Sequence, residues 1–270
     1  MNLGKSEKFN ADPYNNQNVL ISYEEICHIF EKVNMKDFKP NNIYYYQTAF
    51  KHKSYCFMKD YEEYTKPDNC LSLQEESYER NEYLGDSLLG CMTAEYLFRR
   101  FPTEDEGFLT KIKTRIVNGE QLAHLAGCLG FNKHLIISKH IQDNCDGRNN
   151  IHILEDSLES FIGALYLDTN DIHFVKDFCI KVFEKFVDFG EIILNDNNFK
   201  DILQRYMNNT FETKPIYKTI KLEDENMYHC KVYKIIDDIE EFISEGIENT
   251  IKKAEQLAAK NTLIHYGVLN

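Results

Sequence analysis

The sequence predicts a mainly α-helical chain that ends in a small α+β domain. From Ser22 to about Phe189, apolar residues recur at helical spacing, and no alternating strand pattern is visible. A polar, asparagine-rich stretch follows this region, and after it a helix, three β-like runs and a second helix occupy about 70 residues. An α-β-β-β-α order of this length is typical of a small α+β domain.

Local signals predict the individual elements. Ser22 and Glu25 match a capping box ahead of the first helix, because a serine followed three residues later by a glutamate satisfies the first amides of a helix. Thr103 and Glu106 match a second one. Further helices are predicted at 77–100, 151–167, 199–208 and 249–266, and strands at 216–222, 228–236 and 241–246.

The expected organisation is an arm, a helical domain, a linker and the α+β domain. Residues 1–20 are polar, lack the apolar core of a secretory signal and are expected to be a disordered arm. The helical domain covers 21–192, and 193–197 form the linker to the last domain at 198–270. Within the helical domain, 56–78 hold six acidic residues against two lysines, which predicts a solvated surface insertion.

Net charge and cysteine content disfavour some functional classes for this chain. The net charge of −13 argues against promiscuous electrostatic binding to nucleic acid or membranes, although it allows a local basic patch or bridging metal ions. No apolar run is long enough to span a membrane. The eight scattered cysteines form no C-x-x-C pair, so we expect buried thiols and a cytoplasmic location, in the host cytoplasm if the source is viral.

A stripe of carboxylates marks the helix predicted at 77–100. Glu79, Glu82 and Asp86 fall on one helical face, with Gly90 on the same stripe. An exposed acidic face is the simpler interpretation. However, the other sides of this helix are apolar, and a glycine inside a helix usually marks a close approach of another helix.

A second stripe lies on the helix predicted at 151–167. Asp156 and Glu159 are three residues apart, and Gly163 follows one turn later on the same face. If the two stripes meet, their carboxylates cannot all stay charged without a cation. Oxygen ligands without histidine or cysteine favour Mg²⁺ or Mn²⁺, and Mg²⁺ held by carboxylates is suited to phosphodiester hydrolysis.

Four segments in order resemble the ribonuclease III family. Residues 79–87 look like its signature helix and 153–168 like its second acidic helix. Residues 49–55 resemble its A-F-T-H-R-S-Y box, and 101–118 its middle helix. Asn81 stands where the family usually has leucine.

The resemblance implies an all-helical ribonuclease III endonuclease domain at 21–192, and its intact ligand positions imply that the domain is catalytically active. Its metal ligands would be Glu82, Asp86, Asp156 and Glu159, and Glu79 would be an accessory catalytic carboxylate. It also implies a homodimer through this domain, a double-stranded RNA substrate, and Mg²⁺ as the cofactor with Mn²⁺ as a substitute. The products would carry 5′-phosphate and 3′-hydroxyl ends.

The C-terminal segment, 198–270, resembles a double-stranded RNA-binding domain, with its first helix at 201–206 and its last at 250–260. Such domains read the shape of A-form RNA, with lysines at a helix N-terminus holding phosphates. The RNA-binding residues that this resemblance implies are Gln204, Lys252 and Lys253. The basic residues of the middle helix, Lys111, Lys113 and Arg115, either line the RNA path or are solvated.

Two departures predict that the C-terminal domain binds RNA weakly. The loop at 223–229 is acidic and lacks the family's proline, and Ile251 replaces one of the usual lysines. Residues 198–270 hold ten basic and twelve acidic side chains, which leaves few phosphate contacts. Tight duplex binding by residues 195–270 alone at moderate salt would contradict this prediction.

Three functions remain open at this point. The first is a metal-dependent endoribonuclease for double-stranded RNA, which the intact carboxylates favour. The second is a protein that sequesters duplex RNA without cutting it, for instance a suppressor of RNA silencing. The third is a purely structural dimerisation module, which the glycine-flanked acid stripes disfavour.

Overall fold

The structure is a computed structural model that divides into two compact units. The first ends at Phe189 and the second begins at Gly190. The residues that the structure describes are 12–194, 199–222, 226–236 and 239–269. Among them, no helix combines the length and the apolar character that crossing a bilayer requires. All eight cysteines lie in this part of the chain and are free thiols.

The first unit is helical, as the sequence predicts. Its α-helices are α1 (Tyr23–Lys32), α2 (Ile43–Thr48), α3 (Glu79–Arg100), α4 (Glu106–Ile116), α5 (Gly119–Leu129), α6 (Lys139–Asn144), α7 (Ile151–Thr169) and α8 (Ile172–Phe186). A further helix, α9 (Phe189–Leu194), crosses the division between the units. Helices α3 and α7 carry the two acidic stripes, and each agrees with its predicted span to within two residues at either end.

One predicted helix cap is confirmed and the other is wrong. Ser22 and Glu25 make the reciprocal bonds of a capping box at the start of α1. At the start of α4, however, the cap is Asp105, whose carboxylate accepts a hydrogen bond from the amide of Phe108 at 2.8 Å. Asp105 replaces Thr103 in this role because it is the residue with extended backbone directly before the helix.

The core of the first unit is an aromatic cluster around Phe161 of α7, whose side chain is fully buried. The rings within 4.9–6.1 Å of its centroid belong to Phe30, Tyr46, Phe50, Phe131 and Phe178. These contacts fix the rotation of α7 about its axis. The opposite face of α7 is therefore turned toward α3.

Helices α3 and α7 meet backbone to backbone at two glycines. A Cβ added to Gly85 would lie 1.7 Å from the carbonyl oxygen of Glu159. A Cβ added to Gly163 would lie 2.2 Å from the carbonyl oxygen of Asn81. The expectation that Gly90 marks the close approach is wrong, because a Cβ there would meet a flexible lysine amine at 3.8 Å, an ordinary contact.

The predicted N-terminal arm is ordered in the part that the structure describes. Asn15 and Asn18 are buried, and both side-chain amides donate to the carbonyl oxygen of Ile137, at 3.2 and 2.9 Å. The prediction of a disordered arm over 1–20 is therefore wrong for 12–20, because buried partners satisfy these polar side chains. The first eleven residues lie outside the described part.

The second unit has the predicted α-β-β-β-α order. Its elements are α10 (Phe199–Phe211), β1 (Ile216–Lys221), β2 (Tyr228–Ile236), β3 (Ile239–Glu248) and α11 (Ile251–His265). The strands form an antiparallel sheet in the order β1-β2-β3. Both helices and the sheet contribute to one core of buried residues, which includes Leu203, Met207, Cys230, Val232, Ala258 and Leu263. Of the predicted linker at 193–197, the first two residues are helical in α9, and the others lie outside the described part, as do residues 223–225 of the acidic loop.

We expect Gly85→Ala to lower the free energy of unfolding of the first unit by about 3 kcal/mol or more, because the added methyl group meets a backbone carbonyl that cannot rotate away. Gly90→Ala, on the same helix, is the matched control. It should stabilise the protein by up to about 1 kcal/mol, since alanine is the better helix former. Urea denaturation followed by circular dichroism compares the two variants. Equal stabilities would mean that α3 and α7 do not touch at Gly85.

Candidate metal centre

Three carboxylates from two helices meet beside the glycine contact. Glu82 lies on α3, Asp156 and Glu159 lie one turn apart on α7, and one oxygen of each lies within 4.8 Å of the others. Gly85 follows Glu82 by three residues, and the carbonyl oxygen of Glu159 lies against it. The structure thus brings together three of the four carboxylates that the resemblance assigns as metal ligands.

The other two acids of the α3 stripe lie at the edge of this group. Asp86 is exposed, but its charge is near enough to help raise the pKa of Glu159. Glu79 accepts hydrogen bonds from the ammonium of Lys53 and the hydroxyl of Ser77, each at 3.0 Å. These two bonds lower the pKa of Glu79, with Lys53 the larger cause. Glu79 is therefore a charged residue at the rim of the group, paired with the ammonium of Lys53.

The three central acids hold their protons unusually tightly. Burial raises the pKa of Glu82 to about 7 and that of Glu159 to about 8, and neighbouring charges, chiefly Asp156 for Glu82 and Asp86 for Glu159, add to the effect. Burial also raises the pKa of Asp156, although a hydrogen bond from the Tyr78 hydroxyl opposes this. A cation that replaced the protons would relieve both the burial and the repulsion.

The donor set fits a small, hard divalent cation. Within the described residues, the group consists of carboxylates without histidine or cysteine, a combination that suits Mg²⁺ or Mn²⁺. Two ligands on opposite sides of Mg²⁺ lie about 4.2 Å apart. The three carboxylate oxygens lie no more than 4.8 Å from one another, so small side-chain adjustments would bring the three acids around one ion.

Two side chains contact the acids at this site although sequence patterns assign them no function. The Tyr78 hydroxyl donates to Oδ2 of Asp156 at 2.8 Å, and the Lys53 ammonium bonds Glu79 and adds a positive charge near Asp156. The partners are 78 and 26 residues apart in sequence. No helical or strand period links residues so far apart, so sequence patterns alone carry no signal for these contacts.

The residues predicted to bind RNA all lie on helices. On α4 of the first unit, Lys111, Lys113 and Arg115 are partly buried. In the second unit, Gln204 on α10 and the first-turn residues Lys252 and Lys253 of α11 are exposed. Their contact with RNA stays a prediction.

The second unit uses much of its positive charge internally. Among the described residues of this unit, four basic side chains form ion pairs with acids of the same unit, namely Lys200–Glu255, Arg205–Asp201, Lys218–Glu240 and Lys234–Glu241. These pairs reduce the charge that is left for phosphates, which supports the expectation of weak RNA binding.

Comparisons with known proteins agree with the resemblance seen in the sequence. The Ribonuclease III domain family matches residues 79–170, from the start of α3 to just past the end of α7. A ribonuclease 3 of Acinetobacter pittii is 34% identical over 188 residues, which are 69% of this chain and 80% of that protein.

A viral protein matches over almost the whole chain. A probable ribonuclease 3 of Acanthamoeba polyphaga mimivirus is 34% identical over 262 residues, which are 95% of this chain but 45% of that protein, so this chain spans less than half of the relative's length. Among solved structures, the nuclease domain of ribonuclease III from Campylobacter jejuni matches with a TM-score of 0.48 and 26% identity, covering 59% of this chain and 96% of that one.

We expect Glu159→Gln to stabilise the metal-free protein in alkaline solution and to have little effect in acid. The pKa of Glu159 is about 8 in the folded chain, whereas an unfolded glutamate has a pKa of about 4.3. The folded state therefore binds this proton more tightly, and the stability that the proton confers is present in acid and lost as the pH rises through about 8. Glutamine does not ionise and avoids that loss.

Thermal melting in EDTA at about pH 5 and about pH 9 measures this effect. At the higher pH, Glu159→Gln should melt about 2–4 °C above the wild type, roughly 1 kcal/mol in a chain of this size, a value set below the full pKa shift because water screens a partly exposed carboxyl. Glu120→Gln, at an exposed position on α5, is the control and should follow the wild type at both pH values. An equal gap between Glu159→Gln and the wild type at both pH values would contradict the assignment.

Proposed function

The chain belongs to the ribonuclease III family, and on that premise we propose that it is an endoribonuclease that hydrolyses phosphodiester bonds in double-stranded RNA with Mg²⁺. The observation that carries the proposal is the meeting of Glu82, Asp156 and Glu159 across the contact of α3 and α7. Because their pKa values are raised, binding a divalent cation relieves more unfavourable free energy here than at an ordinary acidic surface.

Each carboxylate has a role in this proposal. Glu82, Asp156 and Glu159 would hold the cation, and Asp86, which is exposed one turn further along α3, would be the fourth ligand. When bound, Mg²⁺ supplies a water of lowered pKa and offsets charge on the attacked phosphate, and Mn²⁺, which accepts the same ligands, substitutes for it. Glu79 is an accessory carboxylate that holds Lys53 at the rim of the site.

The reaction is a hydrolysis at phosphorus. The oxygen of water forms a bond to phosphorus, and the bond from phosphorus to the 3′ oxygen breaks. The attacking water loses one proton and the 3′ oxygen gains one, so the products carry 5′-phosphate and 3′-hydroxyl ends.

A homodimer through the first unit is part of the proposal. Tyr83, beside Glu82 on α3, is 80% exposed and borders a surface cavity of about 630 Å³ that Tyr44 and Leu167 also line. A large exposed ring next to a cavity is self-complementary in a two-fold contact, because each ring can fill the partner's cavity.

Sedimentation equilibrium should give the mass of two chains for the wild type and of one chain for Tyr83→Ser.

We expect the wild type to cut a long, perfect RNA duplex with Mg²⁺ and to leave it intact in EDTA. Glu159→Gln, which keeps the shape of the side chain and removes its charge, should lower the rate by about 10³-fold. Glu155→Gln is the matched control, since Glu155 lies one turn earlier on α7 and outside the group of three oxygens. It should cut within a few-fold of the wild type. Gel analysis of end-labelled duplex gives both the rates and the product ends.

Two other outcomes would change the conclusion. A wild type that binds the duplex but never cuts it, with Mg²⁺ or with Mn²⁺, would favour sequestration of RNA. Equal losses in Glu155→Gln and Glu159→Gln would mean that the general acidity of α7 matters rather than the three-carboxylate group.

A further inference from the structure

The acidic insertion at 56–78, which is part of the first unit, begins and ends at almost the same place. Near its start, the amide of Phe57 donates to the carbonyl oxygen of Gln74 at 2.9 Å, and the amide of Gln74 donates to that of Tyr55 at 3.0 Å. At its end, the amide of Tyr78 donates to the carbonyl oxygen of Lys51 at 2.8 Å. The insertion is therefore closed by backbone bonds, although many of its side chains are exposed.

The last residue of the insertion lies at the candidate metal centre. Tyr78 is 2% exposed, and its hydroxyl donates to Oδ2 of Asp156. The bond of 2.8 Å has a charged acceptor when Asp156 is ionised, which makes it stronger than a bond between neutral groups. Its backbone bond to Lys51 holds the tyrosine from the other side.

A restraint on Asp156 has a physical purpose at this position. Three carboxylates within 4.8 Å of one another repel when charged, so a carboxylate that can rotate turns away from the others. A donor on Oδ2 fixes the plane of the group and leaves its second oxygen for a cation. Loss of a donor that orients a metal ligand in this way typically lowers metal affinity about 10- to 100-fold.

The geometry points to Tyr78 as a positioning residue that holds Asp156 in the orientation a divalent cation needs, and thereby couples the acidic insertion to the metal centre. This inference rests on the proposed function of the same site. Tyr78 is 2% exposed and would act on the cation through Asp156.

The residue just before the insertion offers a matched control. Tyr55 is fully buried, and its hydroxyl donates to the carbonyl oxygen of Leu71 at 2.8 Å. Tyr55 and Tyr78 are therefore two buried phenols near the two ends of the insertion, with bonds of equal length. They differ in the acceptor, which is a backbone carbonyl for one and a carboxylate of the metal centre for the other.

The test is a Mg²⁺ titration of the full chain, followed by the rise in melting temperature, with wild type, Tyr78→Phe and Tyr55→Phe. Tyr78→Phe should need about 10- to 100-fold more Mg²⁺ to reach half of the rise, and Tyr55→Phe should match the wild type. Cleavage of duplex RNA by Tyr78→Phe should recover at saturating Mg²⁺, because the loss lies in cation binding. In an Asp156→Ala background, Tyr78→Phe should have no further effect on the Mg²⁺ midpoint.

The outcomes separate this inference from the proposed function. If the wild type binds Mg²⁺ and Tyr78→Phe has the same midpoint, Tyr78 is a packing residue and the inference fails alone. An effect of Tyr78→Phe that persists in the Asp156→Ala background also overturns it. If the wild type shows no Mg²⁺-dependent rise and no cleavage, the proposed function fails as well.

Discussion

Helices α3 and α7 touch through their backbones because Gly85 and Gly163 leave no side chain between them. The residue that fills the gap at Gly85 is Glu159, which presents its carbonyl oxygen to α3 and its carboxylate to the acid group. One contact therefore sets both the distance between the helices and the position of a side chain of the acid group. Any movement of α7 along α3 would separate Glu159 from Glu82.

Placing these acids together costs free energy. Packing of the aromatic core holds α7 in the orientation that keeps them together. Phe161 follows Glu159 by two residues and is fixed among five rings on the other side of α7. The helix cannot turn its acids outward without pulling Phe161 out of the core. Burial and neighbouring charges raise the pKa values of Glu82 and Glu159, and a bound cation would offset both effects.

Local patterns in the sequence were sufficient for the helices, the α-β-β-β-α order and the two acidic stripes, because each depends on residues a few positions apart. They were not sufficient for contacts between elements. Periodicity places Gly90 on the acidic stripe, but it does not say which helix that side faces, and the close contact lies at Gly85. Likewise, polar residues near the N-terminus suggest an arm, whereas Asn15 and Asn18 have a buried acceptor more than 100 residues away.

The charge distribution explains how an acidic chain could bind a polyanion. At physiological salt, charges farther apart than about 8 Å are largely screened, so the net charge of −13 matters less than the groups beside each phosphate. In the described part of the second unit, four basic side chains already have acidic partners. In the first unit, Lys53 is engaged by Glu79. In the proposed reaction, a cation held by the three carboxylates would add positive charge beside the scissile phosphate, at a place where the acid group alone would repel the RNA.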